Sequence, residues 1–430
     1  MAFKSFSKTQ QYLDRAKKSI PVASQTFSKS YYALPNKVCP LFLTKGEGCI
    51  VTDVDNNQFT DYVNGLLAVS LGYQDEDVDA AVVKQLKQGV SFSLPHVIET
   101  ELAELLIELI PCAEKVRFGK NGSDATSAAV RLARAYTNKE HIAVCGYHGW
   151  QDWYIGATSR DLGIPASTKK LTHPFAYNDI ASLQAVYEQC QGELAAVIME
   201  PMNVSYPDAN YLSDVRRFCD EHGIVLIFDE TITGFRFDIG GAQSLFNVTP
   251  DLATFGKGMA NGYPISAVVG RSDIMELMHD IFFSGTFGGE TLSIAASIAT
   301  IKKLQQKNVP NYLYQLGTKL QTGLNDIITK HQLEEYFFVA GHPSWSFLNV
   351  KDGKNYPSIE LKSLLLQELI ENSILTLGSH NLSYSHTTQD IDNLLEIYAS
   401  VLPLIKNVDV NQSMQEVFRG EYLKPVFKVR

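Results

Sequence analysis

The feature that most constrains this chain is a series of short, almost wholly apolar segments set between amphipathic stretches. Ala195-Ala-Val-Ile-Met199 and Val225-Leu-Ile-Phe228 carry no polar residue on either face. A strand that is apolar on both sides has to be covered on both sides, as in a parallel sheet sandwiched by helices. Lys115 to Phe118, Ile142 to Cys145 and Ile265 to Val269 extend the series. Helices are expected at Val78 to Gln88, Glu99 to Ile110, Ser123 to Tyr136, Ile180 to Cys190 and Tyr211 to His222, with Leu292 to Gln305 closing the region. The alternation predicts an α/β domain with a mostly parallel sheet over residues 76–305.

The flanks read differently. Residues 1–75 predict a helix (Lys8 to Lys18), a loop and β-rich pieces, including a hairpin from Gly46 to Asp61 turned at Asp55-Asn-Asn57. Residues 306–430 mix helices and strands and include an amphipathic helix from Thr388 to Leu402. Together the two flanks predict a second, smaller α+β domain.

Composition excludes several classes of function. A chain of 430 residues with 45% apolar and 20% charged residues is an ordinary globular protein, long enough for two domains. The net charge of −10 argues against nucleic acid as a partner. No apolar run is long enough to span a bilayer, and the polar N-terminus has no signal-peptide core, so a soluble, cytoplasmic protein is expected. The six cysteines contain no CxxC pair and read as free structural thiols in a reducing compartment. The ten histidines are dispersed, with no His/Cys spacing typical of zinc, so no metal site is expected.

The residues that carry chemistry fall at the ends of the predicted strands. Lys115 to Phe118 runs into Gly119-Lys-Asn-Gly-Ser-Asp124 and then an Ala-rich helix. Unpaired N–H groups of Gly122, Ser123 and Asp124 and the helix dipole suit a phosphate there, unless Ser123 or Asp124 is only a helix cap. Ile142 to Cys145 ends in Gly146-Tyr-His-Gly149, where Tyr147 can stack on a flat ring or simply pack over the strand end. Ala195 to Met199 ends in Glu200, which can support a site or pair with an arginine. Val225 to Phe228 ends in Asp229. Lys257 follows on the glycine-rich loop Phe255-Gly-Lys-Gly-Met-Ala-Asn-Gly262. An acid at a strand end followed by a lysine among glycines suits one chemistry: a Schiff base between Lys257 and pyridoxal 5′-phosphate (PLP), whose ring nitrogen Asp229 keeps protonated. The glycines beside Lys257 would let the backbone approach the cofactor. Ser284-Gly-Thr-Phe-Gly-Gly289 reads as a turn or, through Thr286, as a second phosphate contact. A nucleotide-binding protein is disfavoured, since neither GxxxxGK[ST] nor GxGxxG occurs.

Taken in order, Asn121-Gly-Ser-Asp-Ala-Thr126, Tyr147-His148-Gly149, Glu200-Pro201, Asp229-Glu-Thr-Ile-Thr-Gly-Phe-Arg236, Pro250-Asp-Leu-Ala-Thr-Phe-Gly-Lys257 and Gly285-Thr286 resemble the motifs of class III PLP-dependent aminotransferases. The chain is most similar to their glutamate-1-semialdehyde aminomutase branch, over nearly its whole length. The resemblance implies a fold-type I, aspartate aminotransferase-like architecture and a homodimer. It implies Lys257 as the Schiff-base lysine, Asp229 as the ring-nitrogen partner and Tyr147 as the stacking ring. Asn121, Gly122, Ser123, His148 and Glu200 are the remaining cofactor residues implied from the same chain. Thr286 would reach the phosphate of the neighbouring subunit.

The chain departs from the branch in places. Where the aminomutases place Asn-Ser-Pro-Val-Arg, and grip the substrate carboxylate with that arginine, this chain has Gln25-Thr-Phe-Ser-Lys29. Their Gly-Asn-Pro is Gly289-Glu-Thr291 here, and the stretch after Trp150 is short. This pattern resembles class III members that aminate keto-sugars for surface polysaccharides, including those that make 8-amino-8-deoxy forms of the octulosonic acid Kdo. The resulting expectation is a ping-pong transfer from L-glutamate to a keto- or aldehydo-sugar, with 8-oxo-Kdo as the candidate acceptor, Lys29 on its carboxylate, and a place in lipopolysaccharide biosynthesis. The alternatives are a glutamate-1-semialdehyde 2,1-aminomutase and a non-catalytic PLP-binding protein.

Overall fold

The computed structural model describes residues 3–424. The chain forms two compact units. One holds Leu67–Ser70 and Asp75–Asn311; the described part of the other holds residues 3–66, Leu71–Gln74 and residues 312–424.

The first unit is built on a seven-stranded sheet. Its strands are β1 (Lys115–Gly119), β2 (His141–Cys145), β3 (Thr172–Pro174), β4 (Leu194–Met199), β5 (Val225–Asp229), β6 (Leu252–Phe255) and β7 (Ser266–Gly270), in the spatial order β1-β7-β6-β5-β4-β2-β3. β6, β5, β4, β2 and β3 pair in parallel, while β7 is antiparallel to both its neighbours. The segment 256–265 that joins β6 to β7 is too short for a crossover, so β7 returns beside β6 in the opposite direction. Two strands of this sheet escape the sequence reading. β3 and β6 are only three and four residues long, and β6 follows Pro250-Asp251, which reads as a loop.

The alternation of side chains sorts the core into two layers. Ile142, Val144, Ala196, Ile198, Val225 and Ile227 face one way and pack on the Gly122–Thr137 helix. Ala143, Cys145, Val197, Met199, Leu226 and Phe228 face the other way and pack on the Ile180–Gln189 and Tyr211–His222 helices. Each large apolar side chain buried this way stabilises the fold by about 1.5–3 kcal/mol.

The second unit carries two small sheets. Leu43–Glu47, Ile50–Asp53, Gln58–Asp61 and Ile374–Leu375 form one; Phe337–His342, Trp345–Val350 and Ser379–Asn381 form the other. The hairpin of the first sheet turns where expected. Asp53 Oδ1 accepts from the N–H groups of Asp55 and Asn57, an Asx turn. Asp55 in turn accepts from Lys8 N and Thr9 N, both at 2.8 Å, at the start of the Ser7–Ser19 helix. The Thr388–Asn411 helix runs nine residues past the expected end and through Pro403. A proline inside a helix costs about 3 kcal/mol, but Ile405 and Val408 on the extra turns are fully buried, which offsets it. All six cysteines are buried and free.

Candidate active site

The site is built where parallel strands end, at the edge where ligands bind in such sheets. Gly146-Tyr147-His148 leaves β2, Glu200 leaves β4, Asp229 closes β5, and Gly256-Lys257 leaves β6. β1 delivers Lys120, Asn121 and the N-terminus of the Gly122–Thr137 helix to the same edge.

Asp229 is buried at the centre. Its Oδ1 accepts from Thr231 N and from Thr254 Oγ1, each at 3.1 Å, and its Oδ2 lies 2.9 Å from His148 Nδ1. Burial alone would raise its pKa, but the hydrogen bond and charge of His148 outweigh that and hold the carboxyl below its ordinary value. His148 is placed by its other nitrogen, 3.1 Å from Cys145 O, and by Thr126 Oγ1 donating to its carbonyl at 2.8 Å.

Glu200 pairs with no arginine among the described residues. It accepts from Tyr147 N at 3.1 Å and Asn203 Nδ2 at 2.7 Å, which fixes the backbone that carries the exposed Tyr147 ring. Burial raises its pKa, and the nearby charge of Asp229 adds to the rise.

Lys257 opens a 3₁₀ turn, Lys257–Ala260, with φ of 42°. A left-handed lysine is strained by about 1–3 kcal/mol, and such strain concentrates at working sites. Burial lowers the pKa of its amine, Arg236 lowers it further, and the charges of Glu200 and Asp229 oppose the fall. A Cβ on Gly258 would stand 2.4 Å from Ser70 Oγ, so this glycine makes room for the protein's own Leu67–Ser70 segment.

At the helix N-terminus, Ser123 Oγ accepts from Trp150 N at 3.2 Å. Asp124 behaves as a cap. Its carboxylate accepts from Lys120 N and Asn121 N at 3.0 and 2.8 Å, and its own N–H donates to Asn121 O, so that N–H is not free for a ligand. The Gly122 and Ser123 N–H groups remain as the first two of the helix, pointing along its dipole. A Cβ on Gly122 would meet Thr231 Cγ2 at 3.2 Å, and one on Gly256 would meet the same carbon at 3.4 Å. Around this cradle, Thr231 Oγ1 and Ser266 Oγ are buried without a hydrogen-bond partner among the described residues. Thr231, Thr254 and Ser266 are site residues that the sequence reading did not single out, although Thr231 and Thr254 lie inside motifs it used.

Two expected residues lie outside this network. Thr286 is exposed on a turn closed by Gly288 N to Gly285 O at 3.0 Å. Lys29 belongs to the other unit, where it ends the Phe27–Lys29 turn and lines a cavity of about 370 Å³ together with Ser24, Ser28, Ser30 and Asp61.

Comparison with known proteins decides the family. The model of the family Aminotransferase class-III matches residues 31–336. The chain belongs to the class III aminotransferases. It is 33% identical over 412 residues to the 3-aminobutyryl-CoA aminotransferase of Cloacimonas acidaminovorans (strain Evry), a match that covers 94% of this chain and 98% of that protein. It is 35% identical over 421 residues to the glutamate-1-semialdehyde 2,1-aminomutase of Acetivibrio thermocellus, covering 91% and 97% of the two chains. Among solved structures it superposes on the FumI protein of Sphingopyxis sp. MTA144, in its PLP internal aldimine form, with a TM-score of 0.88, 27% identity and coverage of 96% and 100%. This class III aminotransferase is therefore a fold-type I enzyme with PLP as its cofactor. Its site fits that group: an N-terminal helix cradle with two unpartnered hydroxyls for a phosphate, a buried carboxylate, and a lysine whose amine is biased toward the neutral form. Among the described residues no helix is long and apolar enough to cross a membrane.

Proposed function

We propose that this aminotransferase takes an amino group from L-glutamate and delivers it to the carbonyl of an acidic keto- or aldehydo-sugar, with an oxidised octulosonate such as 8-oxo-Kdo as the candidate. When bound, PLP supplies a carbonyl that condenses with amines and a ring that takes up the electron pair left when a Cα–H bond breaks. The residues would divide the rest of the work. Gly122 and Ser123 hold the phosphate through backbone N–H groups. Asp229, kept ionised by His148, would face the ring nitrogen. Tyr147, fixed through Glu200, would cover the ring. Lys257 would attach the cofactor and, as a free amine, would take and return the proton at the substrate Cα.

The observation that carries the substrate class is the lining of the cavity at Lys29. Leucines, Pro40, Phe42 and Val63 make up much of that lining, and among them the Lys29 cation and the hydroxyls of Ser24, Ser28 and Ser30 offer an acidic, hydroxylated substrate its polar contacts. Lysine meets a carboxylate as a point charge, without the bidentate fork of arginine. The test is 2-oxoglutarate formation from L-glutamate with a panel of oxidised sugars, run beside an aminomutase assay. Turnover of sugar acids that falls in Lys29→Ala is the expected result. Efficient conversion of glutamate-1-semialdehyde to 5-aminolevulinate, with no sugar turned over, is the result that overturns it.

The same reading includes a homodimer in which Thr286 reaches the partner's phosphate. Its support is a set of apolar side chains left exposed in the Thr286 region and at or just before the start of the Val97–Leu109 helix: Leu94, Val97, Phe282 and Phe287. Patches of this kind mark interfaces. Light scattering should give two chains per particle, and Thr286→Val should weaken PLP binding; a fully active monomer would remove the basis for both.

A further inference from the structure

We propose that His141, His173 and Cys190 form a binding site for one divalent transition-metal ion, zinc by preference, at the sheet edge remote from Lys257. No sequence spacing announces it, because the three residues come from two strands and the end of a helix. His141 opens β2 and His173 is the central residue of β3. β2 and β3 pair in parallel with Ala143 opposite His173, and His141 lies two residues before Ala143, so both rings share one face of the sheet. Their Nδ1 and Nε2 atoms are 2.8 Å apart, with ring centroids at 5.0 Å.

Cys190 follows the Ile180–Gln189 helix as its C-cap. Its Sγ and the two imidazole nitrogens all lie within 4.8 Å of one another. The backbone around it is fixed by Cys190 N to Val186 O at 3.0 Å and Glu193 N to Cys190 O at 2.9 Å, and His141 N donates to Glu193 O at 3.3 Å. One short loop thus ties the cysteine to the first histidine.

The donor set is chemically selective. Two imidazole nitrogens and a thiolate are the ligands of zinc sites, at about 2.0–2.1 Å for nitrogen and 2.3 Å for sulfur. Around a tetrahedral ion such donors stand roughly 3.3–3.6 Å apart, inside the range these atoms already span. Small rotations of the side chains close the set, and the fourth position is left for water. The imidazoles are half-buried, which leaves a path for the ion, while the thiol is covered by the core. None of the described carboxylates forms an ion pair with either ring, and the hydrogen bond between the two rings is the contact the ion would replace. Binding forms two metal–nitrogen bonds and one metal–sulfur bond; water leaves the ion, and the Cys190 S–H proton goes to solvent. No electron is transferred.

His141 stands at the start of β2, and the active-site residues follow its end, roughly 13 Å along the strand at 3.3 Å per residue. The ion therefore clamps β2, β3 and the end of the helix, and takes no part in transamination.

The experiment uses the holoenzyme without a histidine tag, stripped with a chelator. Zinc is titrated in competition with a chromophoric chelator, and cobalt(II) is read by its visible bands beyond the cofactor's absorption. One ion per chain is expected, with four-coordinate cobalt bands and a sulfur-to-cobalt charge-transfer band. Cys190→Ser should remove that charge transfer, and Cys190→Ser and His173→Gln should each weaken zinc on the order of 10²-fold, with the transamination rate unchanged. Zinc should raise the melting temperature of the wild type and leave Cys190→Ser unmoved. Anomalous scattering at the zinc edge from wild-type crystals locates the ion without any variant. No stoichiometric binding, equal binding by both variants, or an ion found elsewhere would each overturn the assignment.

Discussion

His148 Nδ1 and Asp229 Oδ2 stand 2.9 Å apart, while Nε2 of the same ring faces the Cys145 carbonyl at 3.1 Å. A carboxylate can only accept, so the contact at Oδ2 is a hydrogen bond from the ring to Asp229, and such a bond favours the ionised carboxyl. The carboxylate is thereby held charged in a place where burial works against charge.

Removing either partner should separate the two effects. Asp229→Asn should keep part of the cofactor but slow turnover by about 10²–10³-fold, the scale of losing a preorganised electrostatic partner. In His148→Ala only the hydrogen bonds from Thr231 and Thr254 still oppose the effect of burial on Asp229, and its pKa rises. A depressed carboxyl stabilises the native state above its unfolded pKa and loses that contribution as pH falls through its folded value. The acid limb of activity and of stability should therefore move to higher pH in His148→Ala. Single-turnover rates and melting curves across pH measure this, and an unmoved limb would reduce His148 to a packing group.

Lys257 holds a left-handed backbone and a desolvated amine. Asparagine tolerates that backbone and carries no charge. Lys257→Asn should abolish the borohydride-trapped cofactor adduct found by peptide mapping. Its apoprotein should melt above the wild-type apoprotein, by about 1–3 kcal/mol of relieved strain and desolvation. A PLP adduct on another lysine in the wild type would sink the role given to Lys257.

Thr231 Oγ1 is buried with no hydrogen-bond partner among the described residues, and a Cβ on Gly122 would stand 3.4 Å from it. Thr231→Val keeps the shape and removes the hydroxyl, so the apoprotein should be as stable as the wild type or more so. If the hydroxyl serves the cofactor, the PLP dissociation constant should rise by an amount worth about 1.5–3 kcal/mol, as for a hydrogen bond to a charged group. Equilibrium dialysis and apoprotein melting together decide it; an unchanged constant leaves Thr231 without a cofactor role.

Glu290 explains part of the departure at Gly289-Glu-Thr291. Its carboxylate accepts from Leu292 N, Ser293 N and Ser293 Oγ at the start of the Thr291–Gln306 helix, and pairs with Lys120 at 2.9 Å. Thr291 Oγ1 donates to Gly89 O and Val90 O. Burial raises the pKa of Glu290, but Ser293 and Lys120 outweigh it and the net shift is downward. Glu290→Ala should cost about 1–2 kcal/mol by chemical denaturation, the scale of a lost cap. The difference from wild type should shrink as pH falls through the depressed Glu290 pKa. A constant difference across pH would mean that packing, and not the charge, is lost.

The sequence by itself determined the alternation of buried strands and helices, and with it the placing of Glu200, Asp229 and the phosphate-loop residues at strand ends. Those signals are local: strands apolar on both faces, an acid after each of two of them, and a glycine opening an Ala-rich helix. Tertiary structure decided what each polar atom meets. Lys257 sits at the end of β6, a strand of four residues too short to declare itself. Gly258 yields to Ser70 and Asp124 turns inward as a cap. The helix that proline should have ended continues because its far side is buried. His141, His173 and Cys190, separated by tens of residues along the chain, become neighbours only through the β2–β3 register and the end of one helix. Periodicity and propensity are properties of a segment. Hydrogen bonds, desolvation and ligand sets belong to pairs of segments, and the fold alone chooses the pairs.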